Sequence, residues 1–196
     1  VIQSANLLPG YNLDVAGMSL WPQSAATARH TGLQQVIQFD SGLTLVQAAN
    51  KVQKDALDLN ALLIGASATV NTPFPATIMG KQLQQVAKII KLRTTTGMRR
   101  QVFLCLLGGF DTHFSQSWVH WNLLNGVSEA LAAFYTATEE LGVADRVTSF
   151  TMSDFGRSLQ PSGSGCDHGW GSHHLILGGA VQGGKMYGTF PTLALG

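Results

Sequence analysis

Six consecutive apolar residues, Val102-Phe103-Leu104-Cys105-Leu106-Leu107, are closed by Arg99 and Arg100 on one side and by Gly108 and Gly109 on the other. A short run with no polar break reads as a strand covered on both faces, as in a mainly parallel sheet. Residues 116–141 come next, with Leu124, Val127, Leu131, Phe134 and Leu141 at helical spacing and Gly142 as a stop. Residues 146–152 then read as a second strand. Strand, helix, strand in that order predicts a βαβ unit with a right-handed crossover. The expected fold class is therefore α/β, a mostly parallel sheet with helices on both faces.

The rest of the chain is read around that unit. Residues 1–42 carry Pro, Gly, Asn and Ser and are expected to be irregular, with a strand around Val36–Phe39. Residues 43–97 form a helical segment. Within it, Val46, Ala49, Val52, Ala56, Leu59 and Leu63 mark a helix over 43–66, and Met79, Leu83, Val86 and Ile90 mark another over 77–93. Lys81, Gln82, Gln85 and Lys88 are assigned to the solvated face of the second helix. A break at Pro73 and Pro75 separates the two. Residues 98–196 hold the βαβ core, a long Gly-rich loop over 155–174, and short strands over 175–181 and 185–190. The whole reads as a single α/β domain, and both ends look cut, so the chain is expected to be a fragment of a larger domain.

Bulk properties exclude several classes. The chain has 196 residues, 45% hydrophobic and 12% charged, which is enough for one domain with a substantial core and too apolar for disorder. A net charge of +1 with no basic run gives no electrostatic case for nucleic acid. No apolar stretch is long enough for a membrane span, and nothing at the amino end reads as a signal peptide. Two cysteines make no disulfide framework. Cys105 reads as a small core residue, and Cys166 as either a thiolate ligand or a plain loop residue.

The chemistry gathers beyond the strand ends. Five of the six histidines fall between His113 and His174, in company with Asp111, Asp154 and Asp167. Asp111-Thr112-His113 follows the first strand and Ser153-Asp154 the second, so both should reach the carboxyl edge of the sheet, where ligands bind in open α/β folds. Residues two apart in extended chain share a side, which lets Asp111 and His113 hold one ion together. Asp167 and His168 lie in the long Gly-rich loop, of a length that is usually functional. His173 and His174 open the next strand and face opposite sides, so at most one serves. Carboxylates and imidazoles together suit a divalent metal (Zn, Mn, Mg or Ca). Arg157 reads equally as an oxyanion contact, the one catalytic candidate, or as an ion-pair partner of Asp167 or Asp154. His120, beside Trp118 and Trp121, reads as packing or surface, His30 as a surface residue, and Trp170 as loop packing.

The motifs GGFDTH, ELGVADRVT, SDFGR, DHGWGSHH and GGAVQGGKMYGTFP closely resemble the carboxyl-terminal half of the uncharacterised family called domain of unknown function 1501, and the helical part before them, with GKQLQQVAKII, also looks like that family. The likeness is strong from about Gly80 and looser before Ser41. That family is similar in fold to the alkaline phosphatase-like superfamily, which includes sulfatases and cofactor-independent phosphoglycerate mutases. The resemblance implies a metal site at the carboxyl edge of a mostly parallel sheet, with Asp111, His113, Asp154 and His168 as ligands, Asp167 in support, and His173 or His174 as a substitute for His168. Phe155 stands where the superfamily often has a histidine ligand. The early strand that supplies a nucleophile there has no counterpart here. An export signal, common in the family, implies a periplasmic or secreted parent.

Two functions of different class follow. One is a metal-dependent hydrolase of phosphate or sulfate esters, acting on a small anionic ester, with this piece alone inactive. The other is a non-catalytic exported binding or structural module that keeps a residual metal site. A third, metal-activated water attacking an amide or ester, fits the residues without support from the resemblance. Oligomeric state is left open by the sequence.

Overall fold

A computed structural model describes residues 2–4, 23–65, 68–169 and 171–189. In chain order the elements are β1 (Ile2–Ser4), α1 (Gln23–Gln38), α2 (Thr44–Gly65), α3 (Ile78–Lys91), α4 (Arg93–Thr96), β2 (Val102–Leu104), α5 (Gln116–Glu140), a 3₁₀ turn (Ala144–Arg146), β3 (Ser149–Phe150), β4 (Gly156–Ser162), β5 (Gly165–Gly169) and β6 (Ile176–Leu177). Two compact units result. The first holds residues 1–70 and 84–105, the second residues 71–83 and 106–196.

In the first unit, β1 pairs parallel with β2, Ile2 opposite Val102 and Ser4 opposite Leu104. The apolar run is a strand over only three residues, and its exposure alternates, with Val102, Leu104 and Leu106 more open than Phe103 and Cys105. It is therefore covered on one face, not on both as the unbroken apolar run suggests. Where an irregular segment with a strand at 36–39 was expected, α1 forms instead. Its sequence, QSAATARHTGLQQVIQ, is rich in helix formers and holds few β-branched residues, so summed propensity outweighs the loop-like composition of its surroundings. Helix α2 follows the expected boundaries, but Val46 and Val52 of its predicted apolar stripe are exposed. The core of this unit is drawn largely from α3, where Val86, Ala87, Ile89 and Ile90 are buried.

The second unit is organised on α5. Its buried positions Ala130, Phe134, Ala137 and Thr138 lie one, two and just over two turns apart on one face. Phe134 was in the expected stripe, while Leu124 is exposed and small residues take the centre of the buried face. The helix ends in a Schellman arrangement. Gly142 sits at φ +64°, its N–H donates to the Glu139 carbonyl, and the Val143 N–H donates to the Thr138 carbonyl. Val143 is buried, as the residue after such a cap usually is. Beyond α5, β3 pairs antiparallel with β6.

The Gly-rich segment expected to be a loop is largely a hairpin. β4 and β5 pair antiparallel around a two-residue turn, Gly163-Ser164, with Gly163 at φ +63°. A glycine at the first turn position gives the twist that antiparallel strands need. Pro161 sits at a register shift in β4, where a missing N–H does least harm.

Candidate metal centre

Three side chains of the second unit converge. Asp111 Oδ1 lies 2.9 Å from His113 Nε2 and 2.7 Å from His168 Nε2. One ligand atom from each of the three falls within 4.8 Å of the others, and among the described residues no other His, Cys, Asp or Glu joins them. Asp111 and His113 come from the turn after the apolar run, His168 from β5. All three keep substantial exposure, so the group faces solvent.

The hairpin is tied to the Asp111 turn at several points. The Ser115 N–H donates to Ser164 Oγ (2.9 Å) and the Gln116 N–H to the Ser164 carbonyl (3.0 Å), so the hairpin tip occupies the start of α5. Ser115 has left-handed backbone, φ 51°, and its side chain makes no cap bond, so Ser164 supplies the acceptors that a helix start needs. Gly165 packs against the His113 carbonyl so closely that a Cβ there would overlap it. Arg157 completes the attachment. Nη1 donates to the Cys166 carbonyl (2.5 Å), and Nη2 donates to the Phe110 carbonyl (2.6 Å) and to Thr112 Oγ1 (3.3 Å).

Each donor is also oriented. Asp167 Oδ1 lies 3.2 Å from His113 Nδ1, so a carboxylate backs the ring nitrogen opposite the one that faces Asp111. Phe155 lies flat on His168, ring centroids 4.2 Å apart at 5°, and His113 stacks on the same imidazole at 5.3 Å and 25°. The Asp111 carboxyl is held below its usual value of 3.8, chiefly by the hydrogen bond from His168. His113, His168 and Arg157 act in the same direction through charge, against the effect of desolvation.

The donor set fits a divalent cation. Two imidazole nitrogens and one carboxylate oxygen, already crowded to hydrogen-bond distance on an open face, match a site of three protein ligands that leaves room for water or substrate. A second carboxylate on the far nitrogen of a ligating histidine is the usual outer support of such sites.

Of the residues singled out in the sequence, Asp111, His113 and His168 come together as ligand candidates and Asp167 touches them through His113. Asp154, His173 and His174 are exposed and stand outside the group. Arg157 approaches Asp111 at 3.5 Å, not Asp154 or Asp167 as the ion-pair alternative supposed. Cys166 is buried in β5 and also stands outside the group. His120, read from the sequence as packing or surface, lies edge-on against Phe110 at 5.7 Å. His30 falls in α1, and Trp170 lies outside the described residues. Phe155, Ser164 and Gly165 were missed as site-building residues. The Gly-Ser pair of the turn was a usable hairpin signal, whereas no sequence signal marks a phenylalanine that will stack on a particular histidine.

These features define the chain first by class: a helix-rich protein whose second unit presents an open group of one carboxylate and two imidazoles that could hold a metal, on the turn after the apolar run and on a hairpin. The chain belongs to the family described as "Protein of unknown function (DUF1501)", which it matches over residues 22–196. The match begins within the stretch where the likeness looked looser. Comparison with curated proteins and with solved structures finds no match.

Proposed function

We propose that this chain carries the metal centre of a hydrolase of phosphate or sulfate esters, of the alkaline phosphatase-like kind with its mostly parallel α/β sheet, in an exported protein. The observation that carries the reading is the convergence of Asp111, His113 and His168 on an open face, one ligand atom of each within 4.8 Å of the others. Two imidazoles and one carboxylate favour Zn over Mn, Ca or Mg, which prefer oxygen donors. Such a cation would supply a Lewis acid that neutralises charge on a phosphoryl or sulfuryl oxygen. The residues themselves do the rest. Asp111 offers one oxygen to both imidazoles, Asp167 fixes the His113 ring through Nδ1, and Phe155 keeps the His168 ring in plane. The solvent-facing side admits a small anionic ester.

The test is turnover of aryl phosphate and aryl sulfate by the full-length protein with Zn, Mn, Mg or Ca added. Metal-stimulated hydrolysis that falls by several orders of magnitude in Asp111→Asn and His168→Ala is the expected result. Stoichiometric metal binding with no turnover of either ester would replace this reading with that of a non-catalytic module.

A further inference from the structure

We propose that Arg157 is the positioning residue of this centre: its guanidinium braces the turn that carries Asp111 and His113 against the hairpin arm that carries His168, and the brace sets the spacing of the three donors. The consequence for metal binding rests on the reading of these donors as a metal site. The brace itself is a property of the chain.

The contacts bracket the site. Nη2 reaches the carbonyl of Phe110 and the hydroxyl of Thr112, the residues on either side of Asp111, and lies 3.5 Å from Asp111 Oδ1. Nη1 reaches the carbonyl of Cys166, two residues before His168. One planar group therefore grips segments 47 and 9 residues away in sequence. A guanidinium suits this because its donors lie in a rigid fork and its charge strengthens each bond. An ammonium on a flexible stem cannot span both carbonyls in fixed geometry. The side chain is only 18% exposed, so water competes little for these bonds. The same residue steadies His168 by a second route. Its Cζ lies 5.2 Å from the centre of the Phe155 ring, and that ring lies flat on the His168 imidazole. Nη2 already faces three protein oxygens, so the oxyanion role expected from the sequence would draw donors away from the brace.

The experiment compares wild type, Arg157→Gln and Arg157→Lys in the full chain with two readouts. One is amide hydrogen exchange in metal-free protein at residues 110–113 and 166–168. The other is Co(II) titration followed by visible absorption, which reports affinity and coordination geometry. Both variants should speed exchange in the two segments together, leave the centre of α5 unchanged, and weaken Co(II) binding about 10–100-fold with an altered spectrum. Failure of the lysine to rescue shows that the fork matters and not the charge alone. Wild-type exchange in both segments of Arg157→Gln, or wild-type Co(II) affinity and spectrum, overturns the proposal. If that variant does not fold, Thr112→Val removes one partner oxygen at nearly constant shape. It should speed exchange at 110–113 and weaken Co(II) roughly 2–10-fold, and wild-type behaviour in both readouts again overturns the brace. If wild type binds no Co(II), the metal reading fails, and the exchange data still decide the brace: paired acceleration supports it and unchanged rates overturn it.

Discussion

At the scale of single residues, Gln82 shows how a polar side chain can serve as backbone. Its amide donates to the Leu106 carbonyl (2.8 Å) and accepts from the Leu106 N–H (2.9 Å), closing the pair of bonds that a neighbouring strand would make. Sequence periodicity assigned Gln82 to the solvated face of α3, yet it is 1% exposed. The reason is that Leu106 has backbone groups to satisfy where β2 has ended, and a buried amide with both partners is tolerated. Gln82→Ala should lower stability by about 1–3 kcal/mol in urea unfolding, because two bonds to backbone are lost and their partners stranded. Asp111 makes a pH prediction. Its folded-state value lies below 3.8, so the stabilisation from the His168 hydrogen bond is complete above the unfolded value and disappears as pH falls through the lower folded value. In metal-free protein the Asp111 carboxyl resonance should titrate below 3.8 and move back up in His168→Phe. An unmoved midpoint would remove the hydrogen bond as the cause. Burial pushes the Cys105 thiol up to about 11, so its reaction with a disulfide reagent at pH 8 should be slow and should accelerate steeply as pH approaches that value.

At the scale of elements, the β4–β5 hairpin matters most, because it carries His168 and Asp167 and sits against the start of α5. Its close contact depends on one missing side chain. A Cβ on Gly165 would meet the carbonyls of Thr112 and His113, which are backbone and cannot yield without moving the turn that holds Asp111. Gly165→Ala should therefore separate hairpin from turn, with metal affinity reduced at least tenfold and Ser115 and Gln116 amides exchanging faster. A binding isotherm and exchange data superimposable on wild type would show that the contact is not needed. The boundaries of α2, α3 and α5 were legible from apolar spacing to within a few residues. Their buried faces were read less well. In α5, Ala130, Ala137 and Thr138 are buried while Leu124 is exposed. Close packing selects small residues at a helix contact, and a count of large apolar side chains does not see them.

At the scale of the whole molecule, all three ligand candidates fall in the second unit. Any ion that binds only the folded site stabilises by mass action, about 2.7 kcal/mol when free metal is 100 times Kd. Zinc should thus slow exchange at 108–113 and 165–169 and leave α1 and α2, in the first unit, unchanged, with EDTA reversing the effect. Uniform protection of both units, or none, would argue against a site confined to the second. No helix among the described residues is long and apolar enough to cross a membrane, in line with the hydropathy of the sequence.

What the sequence determined by itself is local: where the long helices run, where α5 stops at Gly142, and that Asp111, His113, Asp154, Asp167, His168, His173 and His174 are the chemically equipped residues beyond the apolar run. Those follow from spacing, from glycine's access to left-handed backbone and from donor chemistry, all readable over a few neighbours. Only the tertiary structure decided that Asp154, His173 and His174 do not join the donors that lie within 4.8 Å of one another, that Asp167 backs His113, and that Arg157, Phe155 and Gly165 hold the donors together. Each of these depends on contacts between segments about ten to more than fifty residues apart. They are set by a hairpin whose strands are too rich in glycine and proline to announce themselves, and propensity acts only along the chain.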